Sequence, residues 1–123
     1  KTDWNMPKTM NRPYWQYFAE NCLDNFAADF LDQFQADKLE IINYWFQMYK
    51  KGDYHNWHTH PMANFSHVLF LQANGTTEIQ RSKYKNQDPE GAILTFPAFL
   101  KHKSPPAKDE KIVMAFNTNL QIL

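Results

Sequence analysis

Trp15, Phe18, Cys22, Phe26, Phe30 and Phe34 recur at spacings of three and four, while Glu20, Asp24, Asp29 and Asp32 fall largely on the other side. An apolar stripe backed by a charged face is an amphipathic helix laid on a sheet. The spacing predicts one covering helix over residues 13–37, opened by Pro13, which suits a first helical turn. The Phe stripe reads as packing, and Cys22 as a small buried apolar residue within it. Between Leu39 and Lys50 the period changes. Ile41, Ile42, Tyr44, Trp45, Phe46, Met48 and Tyr49 occupy both parities, as in a strand covered on both faces. Phe65–Gln72 alternates Ser66, Val68 and Phe70 with His67, Leu69 and Leu71. Asn74-Gly75 then predicts a hairpin with a return strand over Thr76–Tyr84. After a polar loop at Lys85–Glu90, short strands are expected at Ala92–Phe96 and Ile112–Asn119. Residues 1–12, polar and aromatic with Pro7 among them, read as an extended arm.

One helix followed by about seven strands predicts an α+β fold, mainly β, with a sandwich or barrel core. Its 123 residues suit one domain: arm 1–12, helix 13–37, core 38–123. Thirteen basic residues balance thirteen acidic ones, which disfavours nucleic acid or an anionic membrane as the main partner. No apolar run is long enough to span a bilayer. A single cysteine excludes an internal disulfide and fits a reducing, cytoplasmic compartment. Starting at Lys1 instead of methionine, the chain reads as a trimmed or excised piece.

The chemistry concentrates in Lys51–His60, where His58 and His60 stand two apart in an extended segment. Residues i and i+2 of a strand share a face. Two neutral imidazoles there make half of a first-row transition-metal site. His102 is the best candidate for a third ligand. Asn64, Ser66 and Asn117 are candidates to orient the imidazoles, and Tyr44, Trp57 and Phe70 to wall the pocket. His55 and His67 are left as surface or supporting residues.

Gly52-x5-His58-x-His60 and Gly91-x5-Pro97-x4-His102 resemble the two halves of the signature shared by cupins and the 2-oxoglutarate/Fe(II) oxygenases. The nearer likeness is to a family of 2-oxoglutarate-Fe(II) oxygenases found in bacteria and their phages. It is carried by Trp45–Leu71 and by Glu90–Asn117, in the C-terminal two thirds of the chain. The resemblance implies a double-stranded β-helix, or jelly roll, with Fe(II) at one mouth and 2-oxoglutarate as small-molecule co-substrate. It implies an oxidoreductase, a dioxygenase that hydroxylates a prime substrate the sequence does not specify. His58 and His102 would be the two metal histidines. Lys111, nine residues after His102, would hold the co-substrate's far carboxylate, with Ser66 and Asn117 beside it. Three departures from the pattern stand out. His60 occupies the place of the usual carboxylate ligand, and Lys111 that of the usual arginine. Met62, Ala63, Asn64 and Phe65 stand where cupins carry a glutamate ligand. These departures suit two alternatives: an inactive jelly-roll binding or structural module, such as a virion component, or a cupin holding another metal.

Overall fold

The computed structural model describes residues 1–83 and 89–123. Among these residues two helices, α1 (Pro13–Asn21) and α2 (Leu23–Phe34), precede seven strands: β1 (Lys38–Tyr49), β2 (His55–His58), β3 (Phe65–Gln72), β4 (Glu78–Ile79), β5 (Ile93–Pro97), β6 (His102–Ser104) and β7 (Lys111–Gln121). They form two antiparallel sheets, a larger one in the order β1-β7-β3-β5 and a smaller one in the order β2-β6-β4. This is a mainly-β α+β architecture with a jelly-roll core. Among the described residues no helix is long and apolar enough to cross a membrane.

The larger sheet is covered on both faces, as the double parity of β1 requires. Phe116 and Met114 of β7 meet Phe18, Trp15 and Phe26 of the helices, and Trp15 lies flat on Tyr44 with ring centroids 4.1 Å apart. On the opposite face Tyr49, Phe70, Val113 and Ala107 form the interior cluster. A bulge between Ile41 and Asn43 shifts the register of β1, so Ile41 and Tyr44 share the helix side while Asn43 turns inward to meet Asn117.

The stripe over 13–37 forms two helices rather than one. Cys22 departs from helical geometry (φ −127°, ψ −31°) and the Asn21 side chain donates back to the Tyr17 carbonyl at 2.8 Å. The break lets Phe18 and Phe26 both reach Phe116 on a twisted sheet. Cys22 is consequently exposed, not buried.

The expected hairpin at Asn74-Gly75 does not form. Both edges of β3 are already taken, by β7 and β5, so no edge remains for a return strand. The chain crosses to the smaller sheet, where β4 pairs with β6. Asn74 holds this crossing by donating to the Glu110 carbonyl at 2.7 Å. Gly75 is required by close approach: a Cβ there would lie 2.9 Å from Cδ of Lys111. Tyr84, and most of the loop expected at Lys85–Glu90, lie outside the described residues.

The arm is not extended throughout: its first residues follow the outer edge of β1, and two turns come next, with the Met6 N–H donating to the Asp3 carbonyl and the Met10 N–H to the Pro7 carbonyl, each at 3.0 Å. Lys1 and Met48 exchange backbone hydrogen bonds at 2.9 and 2.7 Å, and the Phe46 N–H donates to Asp3 Oδ1 at 2.9 Å. Arg12 sits 3.1 Å from Asp3 Oδ2 and donates to three backbone carbonyls, those of Asp3, Met6 and Tyr44. Strand edges left bare invite association, and the arm covers this one.

Candidate metal centre

Pairing of β2 with β6 sets His58 directly opposite His102, with ring centroids 4.0 Å apart. His60 arrives by another route. It lies beyond the end of β2, anchored by its N–H to the Ala98 carbonyl at 3.1 Å, so strand alternation is not what turns it inward. Its ring centroid is 5.1 Å from that of His58 and 5.0 Å from that of His102. One nitrogen from each of these three imidazoles falls within 4.8 Å of the others. No Asp or Glu joins the group among the described residues.

Backbone carbonyls fix the tautomers. His58 Nδ1 faces the Asn56 carbonyl at 2.6 Å, and His102 Nδ1 faces that of Leu100 at 3.3 Å. A carbonyl only accepts, so Nδ1 carries the proton and Nε2 is left with a lone pair. Burial, reinforced by the neighbouring imidazoles, lowers His60 to about 4 and His102 to about 3, and burial also lowers His58. Near pH 7 the cluster is neutral. Neutral imidazoles with converging lone pairs are the donor set a first-row divalent ion takes, so the residues fit the group.

The side chains expected to orient these rings hydrogen-bond elsewhere. Ser66 Oγ donates to Asn117 Oδ1 at 2.7 Å, and Asn117 Nδ2 to Asn43 Oδ1 at 2.8 Å. Ser66 and Asn117 line the same interior cavity as the histidines. Asn64 accepts from the Leu120 N–H at 3.0 Å and pins the end of β7.

The expected pocket walls lie elsewhere too. Tyr44 points to the helices, Phe70 is core behind the cavity, and Trp57 is 44% exposed with Lys103 Nζ 4.8 Å above its ring. His55 stacks on His58 with centroids 3.8 Å apart. His67 is no surface residue. It is fully buried on the helix side, with both ring nitrogens bonded to hydroxyls, those of Thr95 at 2.8 Å and Thr118 at 2.7 Å.

Lys111 is 1% exposed and lines the histidine cavity. Its ammonium donates to the Thr76 carbonyl at 2.9 Å and to Ser104 Oγ at 2.7 Å, and lies 5.0 Å from the Tyr49 ring centroid. Burial pulls its pKa down from 10.5 to about 8. Tyr49 and Ser104 are therefore part of this site, although neither was singled out. Ser104 was legible, two residues after His102 on a strand; Tyr49 was not, because its partnership depends on the register that pairs it with Lys111.

Buried neutral histidines make the fold acid-sensitive. His67 is lowered by burial to about 3, against 6.5 for an exposed imidazole. Below pH 6.5 the unfolded chain binds protons that folded His67, His60 and His102 refuse. Their contribution to stability is thus complete above 6.5 and declines as pH falls toward 3 to 4. Urea midpoints of the metal-free chain should drop steadily between pH 7 and pH 4.5; a flat profile would contradict neutral burial.

No family model and no curated protein matches the sequence. Solved structures do match the fold. The viral collagen prolyl hydroxylase of Paramecium bursaria Chlorella virus-1, in its 2OG complex, superposes with a TM-score of 0.69 at 17% identity, covering 100% of this chain and 80% of that one. A truncated form of the same hydroxylase gives 0.63 at 18% identity, over 81% of this chain and 68% of that one. A 2OG-Fe(II) oxygenase family oxidoreductase from Burkholderia pseudomallei gives 0.64 at 15% identity over 72% of this chain. The aligned part spans about half, 47%, of that oxidoreductase. At these identities the likeness is one of fold. Fold and site together define a jelly-roll protein with a cluster of three histidines between its sheets.

Proposed function

We propose that this chain is a non-haem Fe(II)- and 2-oxoglutarate-dependent oxygenase. In this reading His58, His60 and His102 hold iron, and Lys111 binds the far carboxylate of the co-substrate. The observation that carries it is the joint placement of three converging imidazoles and one buried ammonium around a single cavity. Iron bound there would supply the redox chemistry with dioxygen that side chains lack.

The chain's own residues do the rest. Asn56 and Leu100 carbonyls hold Nε2 of His58 and His102 forward. Lys111 spends two of its three N–H donors on Thr76 and Ser104, leaving one for a carboxylate. With no acid in the ligand group among the described residues, a divalent ion and Lys111 together bring three positive charges to the cavity, which favours a dianionic co-substrate.

Lys111→Ala should weaken 2-oxoglutarate affinity by about ten- to a hundredfold, the worth of one charge-assisted hydrogen bond. Metal content should not change. In the parent, affinity should fall as pH rises past about 8, where Lys111 loses its charge. Isothermal titration at several pH values checks both, and an unchanged affinity in the variant would move the carboxylate elsewhere.

A second reading is a cupin-type metal protein that does not consume 2-oxoglutarate. It is favoured by a ligand group with no carboxylate among the described residues and by an interior cavity of only about 50 Å³, which admits a five-carbon diacid only if its walls draw back. Metal analysis of the purified chain, followed by succinate release with and without Fe(II), separates the readings. Stoichiometric iron with turnover supports the oxygenase, and bound metal without turnover supports the cupin. A chain that takes up no metal would leave a jelly-roll binding module.

A further inference from the structure

The N-terminal arm does more than cover an edge. It places Trp4 at the outer side of the histidine cluster, its ring edge-on to Trp45 with centroids 4.5 Å apart and 6.4 Å from that of His60. Trp4 is 48% exposed, although it rests on a buried tryptophan. Its position is set by the backbone: its N–H donates to Thr2 Oγ1 at 3.2 Å, and Thr2 Oγ1 donates to the Phe46 carbonyl at 2.7 Å. Trp4 thereby presents an aromatic ring to solvent beside the histidine cluster.

Beneath that ring lies a cavity of about 350 Å³, seven times the interior one and within the range of small-molecule sites. It is walled by Trp4 and Trp45 and by the rings of His55, His58 and His60. Its remaining lining side chains are Thr2, Gln47 and Thr59. None of these carries a fixed charge. His55, His58 and His60 also line the interior cavity, so the outer slot and the cluster share a wall.

We propose that this slot is the subsite for an uncharged aromatic or heteroaromatic ring, and that Trp4 is the residue that selects it. The inference rests on the oxygenase reading for what happens to the ring, but not for its binding. Aromatic walls offer stacking and edge-to-face contact. Thr2, Gln47 and Thr59 offer neutral hydrogen-bonding groups but no countercharge, so a carboxylate, phosphate or ammonium entering the slot would be desolvated without a partner. In that reading the dianionic co-substrate takes up two of the three positive charges that the ion and Lys111 bring to the inner cavity. An arm contributed from outside the two sheets can set specificity without disturbing the ligands, which sit on β2 and β6 and on the segment after β2.

Three indoles differing chiefly in charge test this: neutral 3-methylindole, anionic indole-3-acetate and cationic tryptamine. Each is titrated into the full ¹⁵N-labelled chain, without metal and with Fe(II) plus 2-oxoglutarate under anaerobic conditions, following the indole N–H signals of the four tryptophans. 3-Methylindole is expected to shift Trp4 and Trp45, to leave Trp15 and Trp57 unmoved, and to bind about tenfold tighter than either charged analogue. Trp4→Leu should weaken it about fivefold. Thr59→Lys, which leaves Trp4 in place, should reverse the preference toward indole-3-acetate. Equal or tighter binding of a charged analogue to the parent, shifts at Trp15 or Trp57 instead, or an unchanged Trp4→Leu affinity would overturn the proposal. Should Trp4→Leu disorder the arm, Thr59→Lys decides alone, and an unreversed preference counts against the slot. Metal content, measured on the same samples, keeps the outcomes apart: selective ring binding without iron uptake preserves the slot and removes the oxygenase.

Discussion

His102→Ala is expected to abolish metal uptake while leaving the fold in place. His102 is the buried member of the triad, 5% exposed, and its Nε2 is already turned forward by the Leu100 carbonyl. Loss of an outer partner of a metal ligand costs about ten- to a hundredfold in affinity, so removal of a ligand should cost at least about a hundredfold. The backbone pairing of β6 with β2 and β4 does not depend on the imidazole. The parent should gain about 2.7 kcal/mol of stability at metal concentrations a hundred times its dissociation constant, and the variant should gain almost none. Elemental analysis with urea unfolding, each with and without Fe(II), checks this. A variant that binds iron as tightly as the parent would end the assignment of these three histidines.

Phe116→Ala should do the opposite, sparing the site's chemistry and breaking its support. Phe116 is fully buried, with ring centroids 4.5 Å from His67, 5.4 Å from Phe18, 5.6 Å from Phe26 and 5.7 Å from Trp15. It joins β3, β7 and both helices in one cluster. Removing such a ring costs about 3–5 kcal/mol, a large share of the 5–15 kcal/mol that holds a typical domain. Phe99→Ala, at a residue 74% exposed, should shift stability by less than about 0.5 kcal/mol and serves as the control. Denaturant midpoints measure both, and a loss below about 1 kcal/mol at Phe116 would mean the helices do not rest on β7 as described.

Much of this was legible in one dimension. The Phe stripe announced helix against sheet, the double parity of β1 announced two covered faces, and the spacing of histidines singled out three residues that the fold brings together. Other readings failed for identifiable reasons. The Asn74-Gly75 pair has the chemistry of a hairpin, yet local preference cannot reveal that both edges of β3 are occupied. Cys22 fits the apolar stripe by position, yet a straight helix cannot follow a twisted sheet. His67 looked like a spare imidazole because its hydroxyl partners, Thr95 and Thr118, lie on two other strands.

Local chemistry alone determined which side chains can ligate a metal, which stretches alternate, and where the polypeptide must turn, because each depends on residue type and near-neighbour spacing. Register decided the rest. It set His58 opposite His102 and Lys111 opposite Tyr49, and tertiary packing brought the arm's Trp4 to the rim. Those relations join residues tens of positions apart, and they are settled by which strand edges remain free once the sheets have closed around their core.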